Sequence, residues 1–197
     1  MDGCSDERAS GARPNRTEPR RALERMGSMP KHVAIESRSP AVPAFEAFYR
    51  REATSLRRAL ALALGDADLA REAADEAMTR VYEHWTTIDQ ARNPAGWAYR
   101  VGLNWALSRR RRNRWRDHRP IPERAAVAVP GDPELAAALA GLSVEHRSVV
   151  VCRYYLDWSV ETTAEALDIP PGTVKSRLAR ALENLHRSLE VRHGSER

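Results

Sequence analysis

Residues 160–189 read VETTAEALDIPPGTVKSRLARALENLHRSL, and they carry the clearest structural pattern in the C-terminal part of the chain. Its first eight residues have helical spacing, and Asp168-Ile169-Pro170 ends them in a short turn. In the residues that follow, apolar side chains recur at spacings of four, three and four, which predicts a second helix with one buried face. Two helices joined by so short a turn predict a helix-turn-helix. The apolar stripe consists of Val174, Leu178, Ala181 and Leu185.

The polar residues of the second helix are predicted to lie on the face opposite this stripe. A recognition helix presents such a face to the major groove, where lysine and arginine bind guanine edges or phosphates, and threonine and serine can do either. The alternative is an amphipathic helical hairpin whose charged face is merely solvated. The candidate DNA-contacting residues are Thr173, Lys175, Ser176, Arg177 and Arg180.

Upstream of this motif the periodicity also predicts helices, and no segment alternates convincingly as a strand does. One helix is expected over residues 44–64, ended by Gly65, and a second from Asp66 or Asp68 to Trp85. Residues 86–92 are predicted to form a loop. Asn93-Pro94 then supplies an N-cap followed by proline at the first helical position, and so opens a further helix.

The predicted fold class is therefore all-α, with two small helical domains joined by a Pro-rich linker and the helix-turn-helix in the second domain. Residues 1–40 are rich in Arg, Ser, Pro and Gly and show no periodicity, which predicts a disordered N-terminal extension. The first domain is expected over 41–117 and the second over 133–192. The linker, 118–132, contains three prolines.

Composition excludes several classes of protein. No apolar run in the 197 residues approaches the roughly 20 residues that a membrane span needs, and the polar N-terminus lacks the core of a signal peptide. Two distant cysteines, Cys4 and Cys152, fit a reducing cytoplasm. The six scattered histidines favour neither a metal site nor a cofactor. Without a phosphate-binding glycine loop or a nucleophile motif, we expect no enzyme.

The charge is concentrated in one segment. Residues 97–116 hold seven arginines and no acid, within a chain whose net charge is +5. Such a patch favours a polyanion through counterion release, although a solvated charged face is equally compatible with it. Tryptophans are interspersed with these arginines, as in single-strand binders that stack bases on aromatic rings. Spacing favours core packing for Trp97 and Trp105 and leaves Trp115 as the better stacking candidate.

These stretches, in this order, resemble the extracytoplasmic-function sigma factors of bacterial RNA polymerase. Residues 160–189 resemble their module that reads the promoter −35 element, most specifically in IPPGTVKSRL. REAADEAMTRVYEHW, residues 71–85, resembles the helix that docks on the polymerase clamp. NPAGWAYRVGLNWALSRRRR, residues 93–112, resembles the helix that melts and binds the −10 element.

The resemblance implies partners and roles. The first domain would hold the polymerase clamp and capture the melted −10 strand, and the second would dock on the polymerase flap and read the −35 element. Promoter DNA and an anti-sigma factor are the further implied partners. Polymerase-binding residues would be Asp75, Glu76 and Arg80. The −10 strand would be bound by Arg100, Asn104, Arg109, Arg110, Arg111, Arg112 and Trp115.

The chain departs from the family pattern at a few positions. The acidic character of the clamp-docking helix is weak, threonine occupies a usually aliphatic position at Thr162 or Thr163, and Ser159 lacks the glutamate of a capping box. Two other functions are compatible with the sequence: a stand-alone helix-turn-helix regulator with an N-terminal interaction bundle, and a structural adaptor that binds a protein partner. Copurification with polymerase core would separate the sigma factor from both.

Overall fold

The computed structural model describes residues 41–117 and 132–194, and within these ranges the chain is helical without a strand. The all-α prediction is confirmed there. The predicted disordered extension, 1–40, and all but Asp132 of the predicted linker lie outside the described residues. The helices are α1 (Ala41–Leu64), α2 (Ala67–Glu83), α3 (Trp85–Ile88), α4 (Pro94–Asp117), α5 (Pro133–Gly141), α6 (Val144–Val150), α7 (Val160–Leu167) and α8 (Pro171–Gly194).

Short polar side chains cap the first turns of the helices, at Asp66 and Asn93 as the sequence predicts. The carboxylates of Asp66 and Asp132 accept hydrogen bonds from backbone N–H groups three residues on, at 2.9 and 2.8 Å. Asn93 accepts one from the third residue of its helix at 2.8 Å, and Ser143 one at 3.4 Å. Ser159 accepts from the Thr162 N–H and also donates to the Thr162 hydroxyl, each at 3.0 Å, so its side chain caps α7.

One local prediction is wrong. Residues 86–92 are not entirely a loop, because Trp85 and Ile88 bury their side chains one turn apart and form the short helix α3. Residues 149–152 are all buried, and the helix widens there into a π-helical turn, Val151–Tyr155. The last described helix ends at Gly194.

Helices α1, α2 and α4 pack around one apolar core, with Leu60, Val81 and Tyr99 fully buried. Gly102 sets how closely α4 approaches its neighbours. A Cβ atom at this position would lie 2.8 Å from Leu60 Cδ1 and 3.0 Å from the Ala73 carbonyl oxygen, closer than ordinary van der Waals contact. The glycine therefore lets α4 lie directly against α1 and α2.

The second group of helices forms the predicted helix-turn-helix. Three of the four residues of the predicted stripe on α8 are buried, and Leu178 is half-buried between two small cores. One core contains residues of α5, α6 and α8, and the other joins α7 to α8. The stripe therefore fixes the rotation of α8 about its axis and leaves the opposite face free. None of the described helices is long and apolar enough to cross a membrane.

The two helical domains also contact each other. Helix α4 packs against α7, and α1 packs against α6 and the π-helical turn. Val151 and Cys152, from the second domain, belong to the same buried cluster as the core of α1, α2 and α4. The sequence does not predict this contact.

Candidate nucleic-acid and polymerase interfaces

The turn of the helix-turn-helix sets the direction in which α8 leaves α7. Asp168 adopts the left-handed conformation, with φ 57° and ψ 47°, which aspartate tolerates better than most residues. The backbone N–H of Ile169 then closes the turn on the Ala164 carbonyl oxygen at 3.1 Å. The Ile169 side chain packs into the small core between α7 and α8. Helix α8 therefore begins from a rigid turn.

The predicted recognition face is largely open. Lys175, Ser176 and Arg180 are exposed, as expected for residues opposite the buried stripe. Thr173 and Arg177 are half-buried.

Arg177 approaches α6. The pKa of Glu145 is lowered, mainly by its own backbone N–H and to a smaller extent by the Ser143 side chain and by the charges of Arg177 and His146. Helix α6 packs against α8, so the flank of α8 that faces α6 is less available to a ligand than the outer face. The open part of the recognition surface consists of Lys175, Ser176 and Arg180.

The four consecutive arginines of α4 divide into two pairs. Arg109 pairs with Glu72 at 2.9 Å and lies 5.1 Å from the centre of the Trp105 ring. Arg110 donates to the Leu64 carbonyl oxygen at 2.8 Å, at the end of α1. Arg111 and Arg112 are exposed. Successive residues are rotated by about 100° around a helix, so Arg109 and Arg110 contact α2 and the end of α1, while Arg111 and Arg112 lie in solvent.

The tryptophans and the asparagine of α4 that the sequence singles out differ in burial. Trp97 and Trp105 are half-buried and pack against the core, as their spacing predicts. Asn104 is exposed, on the same helix. The side chain of Trp115 lies outside the described residues.

Arg100 is held by the second domain. Its Nε donates to the Ala166 carbonyl oxygen at 3.0 Å, and its Nη1 lies 3.7 Å from Asp168 Oδ1. The side chain is 24% exposed. Arg100 is one of the residues that the sequence assigns to the −10 strand, and in this structure its guanidinium binds the helix-turn-helix instead.

The candidate polymerase-binding residues share one side of α2. Glu76 and Arg80 form an ion pair of 2.6 Å, and Asp75 is exposed. An aromatic patch missed by the sequence analysis lies at the same end of the domain. Tyr82 and Tyr49 are 54% and 46% exposed, and each has its ring beside that of Phe45. The signal for Tyr82 was present, since it falls outside the apolar stripe of α2.

A buried pair of weak acids lies where the domains meet. Tyr99 of α4 and Cys152 of the π-helical turn are both fully buried. Burial, with a smaller effect of the neighbouring Cys152, raises the pKa of Tyr99, and burial raises the pKa of Cys152 to about 12. Both groups are therefore neutral at physiological pH and serve packing. Within the part of the chain that the structure describes, no cluster of three or more His, Cys, Asp or Glu side chains could hold a metal ion.

Comparison with known proteins places the chain in a family. Residues 48–116 match the family model of sigma-70 region 2, and residues 133–185 match that of sigma-70 region 4. The ECF RNA polymerase sigma factor SigL of Mycobacterium tuberculosis is 33% identical over 155 residues, which are 73% of this chain and 88% of SigL. The RNA polymerase sigma-E factor of Streptomyces coelicolor is 31% identical over 160 residues, 75% of this chain and 87% of that protein.

A solved structure has the same fold. The sigma factor RpoE of Bartonella quintana, crystallised in complex with the anti-sigma factor NepR, superposes with a TM-score of 0.66 at 20% identity, covering 75% of this chain and 98% of RpoE. The two matched regions occur in the same order as the two helical domains. The chain therefore belongs to the extracytoplasmic-function sigma factors, which bind RNA polymerase core and direct it to promoters.

Proposed function

We propose that residues 41–117 bind the polymerase clamp and the melted −10 strand, that residues 133–192 dock on the flap and read the −35 element, and that 118–132 link them. The observation that carries this proposal is the open face of α8. That face presents Lys175, Ser176 and Arg180 from a helix whose rotation is fixed by a buried stripe. A stand-alone helix-turn-helix regulator would not need a sigma-70 region 2 domain, which in this chain precedes the helix-turn-helix.

Sequence reading at the −35 element is assigned to the exposed residues of α8. Lysine and arginine can bind the O6 and N7 atoms of guanine, and a serine hydroxyl can donate or accept at a base or a phosphate. Thr173 and Arg177, being half-buried, are assigned to contacts with the DNA backbone at the edge of the groove. The −35 sequence would then be read by Lys175, Ser176 and Arg180, and Thr173 and Arg177 would position α8 on the DNA backbone.

At the −10 element, Arg111 and Arg112 are proposed to attract the phosphates of the melted strand, because both are exposed. Asn104 is exposed on the same helix and can hydrogen-bond to an unpaired base. Arg109 and Arg110 support this surface, since their contacts with Glu72 and the end of α1 hold α4 in place. Trp115 is kept as the candidate for base stacking.

The polymerase interface is assigned to the outer face of α2. Asp75, Glu76 and Arg80 supply charge, and the exposed ring of Tyr82 supplies apolar area beside them. Interfaces of this kind rely on an aromatic anchor surrounded by polar groups. Tyr82 thus becomes an additional candidate for the clamp contact.

The cellular setting is part of the same proposal. We place the protein in the cytoplasm with the polymerase, serving signal-responsive genes under the control of an anti-sigma factor, without a catalytic step of its own. The RpoE relative was crystallised with such a factor.

Reconstituted transcription tests the proposal. Polymerase core, the purified chain and a library of promoter sequences are combined, and the transcripts are sequenced. We expect core to start transcription only with the chain, from promoters that share one −35 and one −10 sequence. Binding of the chain to duplex DNA without core, together with no effect on transcription, would instead indicate a stand-alone regulator.

A further inference from the structure

A cavity lies beside α1, and none of the residues that line it belongs to the proposed DNA or polymerase surfaces. Its volume is about 130 Å³. Its walls come from α1, from the first turns of α4 and from residues 155–158, where the π-helical turn ends. A cavity of about 150 Å³ can hold benzene, so this one has room for a ligand of up to about that size.

Three aromatic rings line the cavity. Tyr99 and Trp158 meet edge to face, with their ring centres 5.9 Å apart and their planes at 86°. Tyr99 is fully buried, so the core holds this corner of the cavity in place. Tyr155 supplies the third ring and is 40% exposed, which places it where the cavity meets solvent. The faces of such rings carry partial negative charge and attract cations.

The cavity is acidic as well as aromatic. Glu52 is the only charged residue among the described residues of its lining. The carboxylate is partly buried, and its Oε1 accepts a hydrogen bond from Arg51 Nε at 2.7 Å. Arg51 is mostly exposed, so water screens this pair. No described residue donates a hydrogen bond to the second oxygen, Oε2, which is therefore available to a further cation.

A neutral polar group of the lining is unpaired as well. The Ser55 hydroxyl forms no hydrogen bond with any residue that the structure describes, and its oxygen can accept one from an ammonium N–H. A purely apolar ligand would take water from Glu52 and Ser55 without replacing its hydrogen bonds, and an anion would be repelled by the carboxylate. A small organic cation suits both parts of the lining, because its charge can face the carboxylate while its carbon atoms contact the rings.

We propose that this cavity is a binding site for a small primary alkylammonium ion. The ammonium group donates hydrogen bonds to Glu52 Oε2 and to the Ser55 hydroxyl. The alkyl part fills the corner between Tyr99 and Trp158, and Tyr155 covers it on the solvent side. The volume of the cavity limits the alkyl part to a few carbon atoms.

A titration with tert-butylammonium chloride tests the proposal. This ion has one heavy atom fewer than benzene and so suits the volume of the cavity. The full chain is labelled with nitrogen-15, and the indole N–H resonance of Trp158 is followed at neutral pH, identified by its absence in Trp158→Phe. We expect a saturable shift of this resonance. Two additives serve as controls: tert-butanol, which has the same carbon skeleton without the charge, and sodium chloride, which matches the ionic strength.

The controls are expected to give no saturable shift at the same concentrations. An equal shift with tert-butanol would show an apolar cavity without preference for a cation, and would overturn the proposal. No saturable shift with tert-butylammonium would show that the cavity holds only water, and would overturn it too. The titration needs neither polymerase nor promoter, so its result is independent of the proposed function.

Two pairs of variants test the assigned contacts. Glu52→Gln keeps the shape of the side chain and removes its charge, so the affinity for tert-butylammonium is expected to fall at least about fivefold. Its control is Glu46→Gln, at an exposed glutamate of α1 outside the cavity. Tyr155→Leu keeps an apolar side chain and removes the ring, for an expected loss of about two- to fivefold. Its control is Tyr154→Leu, at a 64% exposed tyrosine outside the cavity.

Both controls are expected to bind tert-butylammonium as the original protein does. Equal affinities within either pair would contradict the assigned contacts.

Discussion

Replacing Gly102 by alanine tests how closely α4 is packed. Alanine is favoured over glycine in a helix by about 1 kcal/mol, so without a clash the change would stabilise the protein. The new Cβ, however, would lie 2.8 Å from Leu60 Cδ1 and 3.0 Å from the Ala73 carbonyl oxygen. Leu60 is fully buried and the carbonyl belongs to a helix backbone, so neither can move freely.

Overpacking of this kind costs about 1–3 kcal/mol, which exceeds the gain in helix propensity over most of that range. We therefore expect a net loss of up to about 2 kcal/mol, seen as a fall in Tm of up to about 8 °C for a chain of this size. The matched control is Gly172→Ala in the first turn of α8, where an added Cβ meets nothing within 4 Å. That variant is expected to be as stable as the original or more so. The same or a higher Tm for Gly102→Ala than for Gly172→Ala would show that α4 has room for a side chain at this position.

Three further predictions address the charged surfaces and the buried acids. Asp75→Lys with Glu76→Lys is expected to weaken binding to polymerase core in a pull-down. The control Glu46→Lys, at an exposed glutamate of α1, is expected to bind core as the original protein does. Equal binding by both variants would contradict the assignment of α2 to the polymerase interface. Arg111→Ala with Arg112→Ala is expected to lower the affinity for all promoter sequences alike, and to reduce the slope of log affinity against log salt by about 0.7–0.9 per lost phosphate contact. Arg109→Ala is the control and is expected to reduce this slope less, because Arg109 is paired with Glu72. A changed promoter preference at a constant slope would contradict the prediction. Above about pH 9 the unfolded chain releases the Cys152 proton while the folded chain retains it up to about 12, so the free energy of unfolding is expected to fall by about 1.4 kcal/mol per pH unit. Denaturant melts between about pH 9 and 10 measure this fall, which Cys152→Ala should flatten, and an equally steep curve in that variant would contradict it.

Features determined by neighbours in sequence were predictable. The caps Asp66, Asn93, Asp132 and Ser159 act on N–H groups three residues away, so their chemistry can be read from a few letters. The rotation of α8 was predictable for a similar reason, since a regular helix places the residues between the apolar positions on the other face.

Features determined by distant neighbours were not. Helix α3 forms because the side chains of Trp85 and Ile88 are buried in the core. The residues around them are polar and so do not predict a buried helix. The half-burial of Arg177 depends on how α6 lies beside α8. The separation of the arginine run into anchored and exposed pairs depends on Glu72 and on the end of α1. The contact of Arg100 with Ala166 joins two domains, and no pattern within either of them encodes it.

Transcription from a panel of single −35 substitutions measures whether the open face of α8 reads the −35 element. The panel is measured with Lys175→Ala, with Arg180→Ala and with the control Arg187→Ala, an exposed arginine later on α8 that pairs with Glu183 at 2.9 Å. We expect each of the first two variants to lose about 5- to 150-fold at particular base pairs, equivalent to about 1–3 kcal/mol, and to become insensitive to changes at those pairs. The control is expected to follow the original protein across the panel. Equal losses at every position for Lys175→Ala and Arg180→Ala would show that α8 binds phosphates without reading sequence, and would contradict this function of α8.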